Sequence, residues 1–259
     1  MTDVATNTDK FRAVLVLAAT VGTLVFNWLA AIGSIGGVTP EQISAKYPTP
    51  ITPAGYAFTI WSLIYVGLIV FSIYQILPAN LTRFRGVRSL YILTCALNCG
   101  WIYMWHNDQI AICLVLIALL AAVLMLINIR FRSMDLLKDF WAAKAPFQIY
   151  FGWVTAATLV NLFVLLVHQQ IDLTPSASTG FAVALIGAAG VFGVLGRVTL
   201  GAHLYPLAIA WALTAIAVRQ SGQTLIVVAC AVGVIACLIA TLSFVVNLPS
   251  STTKPAPRI

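Results

Sequence analysis

Charge is scarce in this chain, and acidic charge most of all. Only 8% of the 259 residues are charged, and the seven acids are Asp3, Asp9, Glu41, Asp108, Asp135, Asp139 and Asp172. None of them falls inside a long apolar run. A soluble domain carries about a quarter charged residues, so this composition excludes an ordinary soluble fold. Proton- and sodium-coupled carriers place ionisable groups near the middle of the bilayer, and their lack here counts against that class, although backbone carbonyls could still hold sodium. No lysine lies mid-run, which removes a retinal Schiff base. There is no phosphate-binding glycine loop, no zinc-ligand spacing and no nucleophile–base pair, so acid, base or metal catalysis has no candidate residues. The five cysteines, Cys95, Cys99, Cys113, Cys230 and Cys237, form no C-x-x-C. Cys95 and Cys99 share a helix face with no histidine or carboxylate beside them, and read as apolar packing.

What the chain has instead is apolar length, with 61% hydrophobic residues. A helix crossing the hydrocarbon needs about 20 apolar residues. Eight runs qualify, at about 12–32, 53–77, 89–105, 110–129, 141–167, 177–196, 199–218 and 223–247. The expected fold is an all-α polytopic membrane protein with eight spans. The first run is too long for a cleaved signal peptide and reads as a retained helix. The net charge of +7 does not point to nucleic acid, because the basic residues sit at the ends of apolar runs. Eight spans put twelve of them (Lys10, Arg12, Arg83, Arg85, Arg88, Arg130, Arg132, Lys138, Lys144, Arg197, Lys254 and Arg258) on one side, against Lys46 and Arg219 on the other. By the positive-inside rule both termini are cytoplasmic, and a bacterial inner membrane fits best. Thr52 and Pro53 suit the start of the second helix. The connection 33–52, with three glycines and three prolines, reads either as a lid or as a passive connector. The last residues, SSTTKPAPRI, are expected to be disordered, and membrane lipids are the first partner.

The remaining signal is aromatic. Trp28, Trp105 and Trp141 lie near span ends, where interfacial tryptophans are expected. Trp61, Trp153 and Trp211 fall well inside. Trp153, Ala157 and Asn161 are four residues apart and share one helix face. Phe58, Trp61 and Tyr65 share another, and Trp101 lies one turn after Asn98. Three helices thus each bring aromatic rings with a few neutral hydrogen-bonding groups, which describes either a pocket for a large, flat, mainly apolar ligand or simple filling of a bundle core. His203, with Tyr205 and Pro206 nearby, reads as a histidine bonded to a neighbouring helix, with a haem ligand as the alternative. Pro206 is expected to kink its helix.

At these residues the chain resembles the tryptophan-rich sensory proteins, bacterial relatives of the translocator protein (TspO). That family opens its second helix with Pro-x-Gly and continues to Trp-x-x-x-Tyr, and here Pro53-Ala54-Gly55 leads to Trp61 and Tyr65. Its third helix carries Asn-x-x-Trp, matched by Asn98 and Trp101, and its fifth reads as Trp153, Ala157-Thr158 and Asn161 do. The chain departs from the pattern at Tyr56, where the family usually has Trp, and in the positions of Trp61 and Pro146. The resemblance implies a five-helix bundle over 12–167 binding porphyrins or sterols, between a 1–11 tail and three additional helices over 168–247 with a 248–259 tail. Phe58, Trp61, Tyr65, Asn98, Trp101, Trp153, Ala157 and Asn161 are the ligand-binding candidates. The family's members are described as transporters, as sensors and as promoters of light-dependent porphyrin breakdown, so a bound porphyrin is possible and no cofactor is required. A carrier of a lipophilic solute, and a subunit of a membrane pigment–protein complex, are the alternatives. The added helices could seal the bundle, replace a homodimer interface or serve a partner in such a complex.

Overall fold

The structure, a computed structural model, describes residues 4–134 and 136–246. Asp3, Asp135, Lys254, Arg258 and the C-terminal segment expected to be disordered lie outside the described residues. The elements are α1 (Asn7–Ala31), α2 (Pro40–Lys46), a 3₁₀ turn (Gly55–Thr59) leading into α3 (Ile60–Ile76), α4 (Arg88–His106) and α5 (Ile110–Phe131). A single turn, α6 (Leu137–Asp139), continues through a π-turn (Phe140–Lys144) into α7 (Ala145–His168). The chain closes with α8 (Pro175–Leu200), α9 (Tyr205–Arg219) and α10 (Thr224–Val246). No strand occurs among the described residues. The protein is a helical multi-pass membrane protein.

Helix ends follow local chemistry. Thr6 and Asp9 form a reciprocal capping box on α1, and Thr39 and Gln42 do the same on α2. Gly201 takes a left-handed φ of 64° to end α8. Two expectations fail here. Thr52 does not cap the second long helix; its hydroxyl accepts from the Thr49 N–H at 2.8 Å, because a 3₁₀ turn intervenes before α3. Pro206 does not kink a helix; it sits in the first turn of α9, where its missing N–H costs nothing.

Eight long helices thus stand where eight apolar runs were read. Among the described residues, six helical stretches are long and apolar enough to cross a membrane. The exceptions are α4, which carries Arg88, Thr94, Asn98 and His106, and α9, whose 15 residues reach only about 22 Å at 1.5 Å per residue.

The first five long helices close a ring in the order α1, α3, α7, α5, α4, back to α1. The last three pack on one another, and α9 lies against α7. Polar groups inside the ring pair across helices: Thr20 with Ser72 and with Tyr91, both at 2.6 Å, and the Asn27 amide donating to Asn98 Oδ1 at 2.7 Å. With no water in the hydrocarbon, such pairing is how a buried polar group is tolerated.

The two ends of the ring differ. At one end Asp9 pairs with Arg85 at 2.7 Å, and Asp139 with Arg83 at 2.5 Å and with the Tyr74 hydroxyl at 2.6 Å. Arg88, read from the sequence as belonging to a connector, is wholly buried here and donates to Gln75 Oε1 at 2.7 Å. Above this cluster Phe71 packs on Phe84, Tyr91, Phe131 and Phe147 with ring centroids 4.9–6.0 Å apart, so this half is plugged. The other end is capped by α2 and the 33–54 connection, and there the packing opens.

Candidate functional site

A hollow of about 40 Å³ lies beneath α2. The 3₁₀ turn and α3 bring Phe58 and Trp61; α4 brings Trp101 and Trp105; α7 brings Trp153, Ala156, Ala157, Val160 and Asn161. Ile117 of α5 closes one side, and Ser44 and Pro53 form the roof. Trp153 stands midway along the continuous Leu137–His168 helix, so the hollow runs from mid-depth to the α2 end. Trp61 lies inside its span as expected, seven residues into the continuous Gly55–Ile76 stretch, with its ring 6.3 Å from Trp153.

The rings touch edge to face around Trp153 and stack at Trp101. Phe58 and Trp61 meet Trp153 at centroid distances of 6.0 and 6.3 Å, and Trp101 stacks on Trp105 at 5.4 Å. Such contacts suit the aromatic quadrupole and hold the rings without filling the space between them. Asn161 Oδ1 accepts from the Trp101 indole at 3.3 Å, and its amide donates to the Ala157 carbonyl at 2.9 Å. The Trp153 indole N–H is buried and has no hydrogen-bond partner among the described residues. No charged side chain lines the hollow.

A second cavity of about 230 Å³ adjoins the first. It lies between α1 and α3, under Thr39, Pro40 and Glu41, and Asn27, Ser62, Tyr65 and Ile102 line it. Phe58 and Trp61 line both spaces and form the partition between them. Trp61 stacks on Tyr65 at 5.5 Å on that side.

Six of the eight candidate residues therefore share the hollow: Phe58, Trp61, Trp101, Trp153, Ala157 and Asn161. Tyr65 lines the second cavity only. Asn98 lines neither; it is buried and ties α4 to α1 through Asn27. Trp105 was expected at the membrane interface. It is 3% exposed, and its indole donates to the Pro40 carbonyl at 3.1 Å, because α2 folds over the end of α4. Trp28 and Trp141 are exposed as interfacial residues should be. Trp211 is partly exposed and donates to the Ala57 carbonyl at 3.0 Å, outside the hollow. His203 stands in the short turn between α8 and α9, not in a span, with its ring edge-on to Phe140 at 6.3 Å.

The 33–52 connection, read as a lid or a passive connector, does roof the hollow, but its helix and one further wall escaped sequence reasoning. The roof helix α2 was hidden in a glycine- and proline-rich connection, although Thr39-Pro40-Glu41-Gln42 is a helix-start signal. The other wall is Ala212 and Ile216 of α9. The Ala54 N–H donates to the Ala215 carbonyl at 3.0 Å, which fastens α9 to the entry of α3. Ala212 and Ile216 thus close the hollow on the α9 side. No cysteine pair forms a disulfide: all five thiols are free and at least partly buried.

No curated protein and no solved structure matches the chain. The profile of the TSPO-like proteins matches residues 13–244, from the first long helix into the last, beyond the stretch that carries the tryptophan motifs. The chain belongs to the TSPO-like protein family.

Proposed function

We propose that the chain binds a flat, mainly apolar molecule, of the tetrapyrrole or sterol-like class, between Trp61, Trp101 and Trp153, for sensing or transport. The observation that carries the reading is the Trp153 N–H, buried without a partner in a wall of indole rings. An orphaned buried donor costs about 1–3 kcal/mol, and a ligand acceptor would recover it.

Size sets a condition. Pockets for drug-sized ligands run to about 300–1,000 Å³, and a hollow of 40 Å³ holds only water-sized guests. Occupancy therefore requires Phe58 and Trp61 to swing aside, which joins the hollow to its 230 Å³ neighbour and adds the space their own rings fill. Both belong to the 3₁₀ turn and first turn of α3, the least regular stretch of the wall. The aromatic plug around Phe71 closes the far end, which favours a cup that binds over an open path for a solute. If the basic end is cytoplasmic, in a bacterial inner membrane, the cup lies in the outer half.

Titration of the purified protein with protoporphyrin, followed by tryptophan fluorescence, tests the reading. Quenching should saturate, and Trp153→Ala and Trp61→Ala should each weaken binding about tenfold or more, as loss of a large aromatic contact would. Unchanged affinity in both variants would refute the pocket.

A further inference from the structure

The second cavity differs from the hollow in chemistry. Its aromatic side is the Trp61–Tyr65 stack with Phe58, and its polar side holds Asn27, Thr39, Ser62 and Glu41. Glu41 is exposed and stands at the cavity's edge, in the first turn of α2. Its carboxylate lies against Gly55 at the start of the 3₁₀ turn, where an added Cβ would overlap Glu41 Oε1. Among the described residues Glu41 makes no ion pair, and the neighbouring Lys46 is committed to Asp108. Neither cavity is lined by a lysine or arginine.

We infer that the second cavity receives a cationic group, so that the protein prefers amine-bearing flat lipophiles to carboxylated ones. This rests on the proposed pocket and ranks ligands within it. The apolar body would lie past the partition among Trp101, Trp153 and Val160. The cation would sit beside Glu41 against an outer face of the Trp61–Tyr65 stack, where a carboxylate and an aromatic quadrupole attract the same charge. A ligand carboxylate placed there meets Glu41 with no basic side chain to offset the repulsion. Protoporphyrin, a diacid, should accordingly still bind but less tightly than its ester or amine derivatives.

The test uses the full chain in neutral detergent and three tricyclic probes of one outline: 9-aminoacridine as cation, 9-methylanthracene as neutral body and anthracene-9-carboxylate as anion. Equilibrium dialysis gives the affinity of each for the wild type, Glu41→Gln and Trp61→Ala. The cation should bind more tightly than the anion. Glu41→Gln should shrink that ratio by about fivefold, the scale of a partly exposed ion pair, and leave the neutral probe unchanged. Trp61→Ala should weaken all three. Reading a ratio within one protein cancels differences in how the probes partition into detergent. Equal binding of cation and anion, or a ratio that Glu41→Gln moves less than twofold, overturns the charge preference while Trp61-dependent binding of the neutral probe keeps the pocket. Failure of all three probes to bind in a Trp61-dependent way overturns the pocket and the preference together.

Discussion

Gly152→Ala tests whether α9 truly forms a wall of the site. A Cβ at residue 152 of α7 would stand 2.3 Å from the Tyr205 carbonyl oxygen and 2.9 Å from the Ala208 Cβ. One contact is backbone, so rotating a side chain cannot relieve it; α9 must move away. Overpacking of this kind costs about 1–3 kcal/mol, while alanine gains at most about 1 kcal/mol of helix propensity over glycine. The clash wins, and a net loss of about 1–2 kcal/mol is expected. Gly22→Ala is the matched control: it lies in α1 with nothing within 4 Å of its Cβ. There only the propensity acts, and stability should rise by about 0.5–1 kcal/mol. At about 2–4 °C per kcal/mol for a chain of this size, the two variants should separate by several degrees and with opposite signs. The assay is thermal unfolding in detergent, read by tryptophan fluorescence. Displacing α9 also withdraws Ala212 and Ile216 from the hollow, so Gly152→Ala should make the indoles more accessible to an aqueous quencher. If Gly152→Ala melts as high as Gly22→Ala, α9 does not pack on α7 as described, and the site loses that wall.

Three further outcomes follow from individual contacts. Asp139→Asn removes the negative charge and one of the two oxygens that accept from Arg83 and the Tyr74 hydroxyl. Arg83 is left partly exposed, so the loss should fall near 2–3 kcal/mol, below the range for a wholly buried pair, and appear as a lowered melting temperature. Trp153→Phe deletes an N–H that has no partner, so stability should change by less than about 1 kcal/mol while ligand affinity falls about fivefold; a large stability loss with unchanged affinity would make the indole purely structural. The third outcome concerns pH. The Lys46 ammonium and then the Tyr47 hydroxyl hold the Asp108 carboxyl below its ordinary range. A lowered carboxylate pKa stabilises the fold fully above the unfolded value near 3.9, and that share is lost as pH falls through the folded value. The groups are about half exposed, so the share should stay under about 1 kcal/mol. Melting temperatures between pH 3 and 6 should fall less steeply in Asp108→Asn than in the wild type.

Much of the site was legible because helix periodicity is. Trp153, Ala157 and Asn161 share a face of α7 whatever surrounds it, and that face does meet Trp101 and Trp61. The misplacements have a common cause, which is that depth was read from distance along the chain. Trp105 lies at a helix end and so resembled an interfacial residue, but α2 folds over it. Asn98 has the right spacing to Trp101, yet Asn27 of α1 claims its oxygen. Which neighbour a polar group meets is set by helices distant in sequence.

Sequence alone determined the medium and the elements. A scarcity of charge and eight apolar runs leave helices in a bilayer as the stable solution, since every backbone polar group must be paired within its own segment. It also determined which rings share a helix face. The packing of distant helices set the rest: α9 closes the wall, the half near Phe71 is solid while the half under α2 holds the cavities, and Phe58 and Trp61 stand as a partition between them. The reason is physical. Periodicity orients a side chain about its own helix axis, but empty space is a property of several helices at once, fixed by how closely residues such as Gly152 let their axes approach.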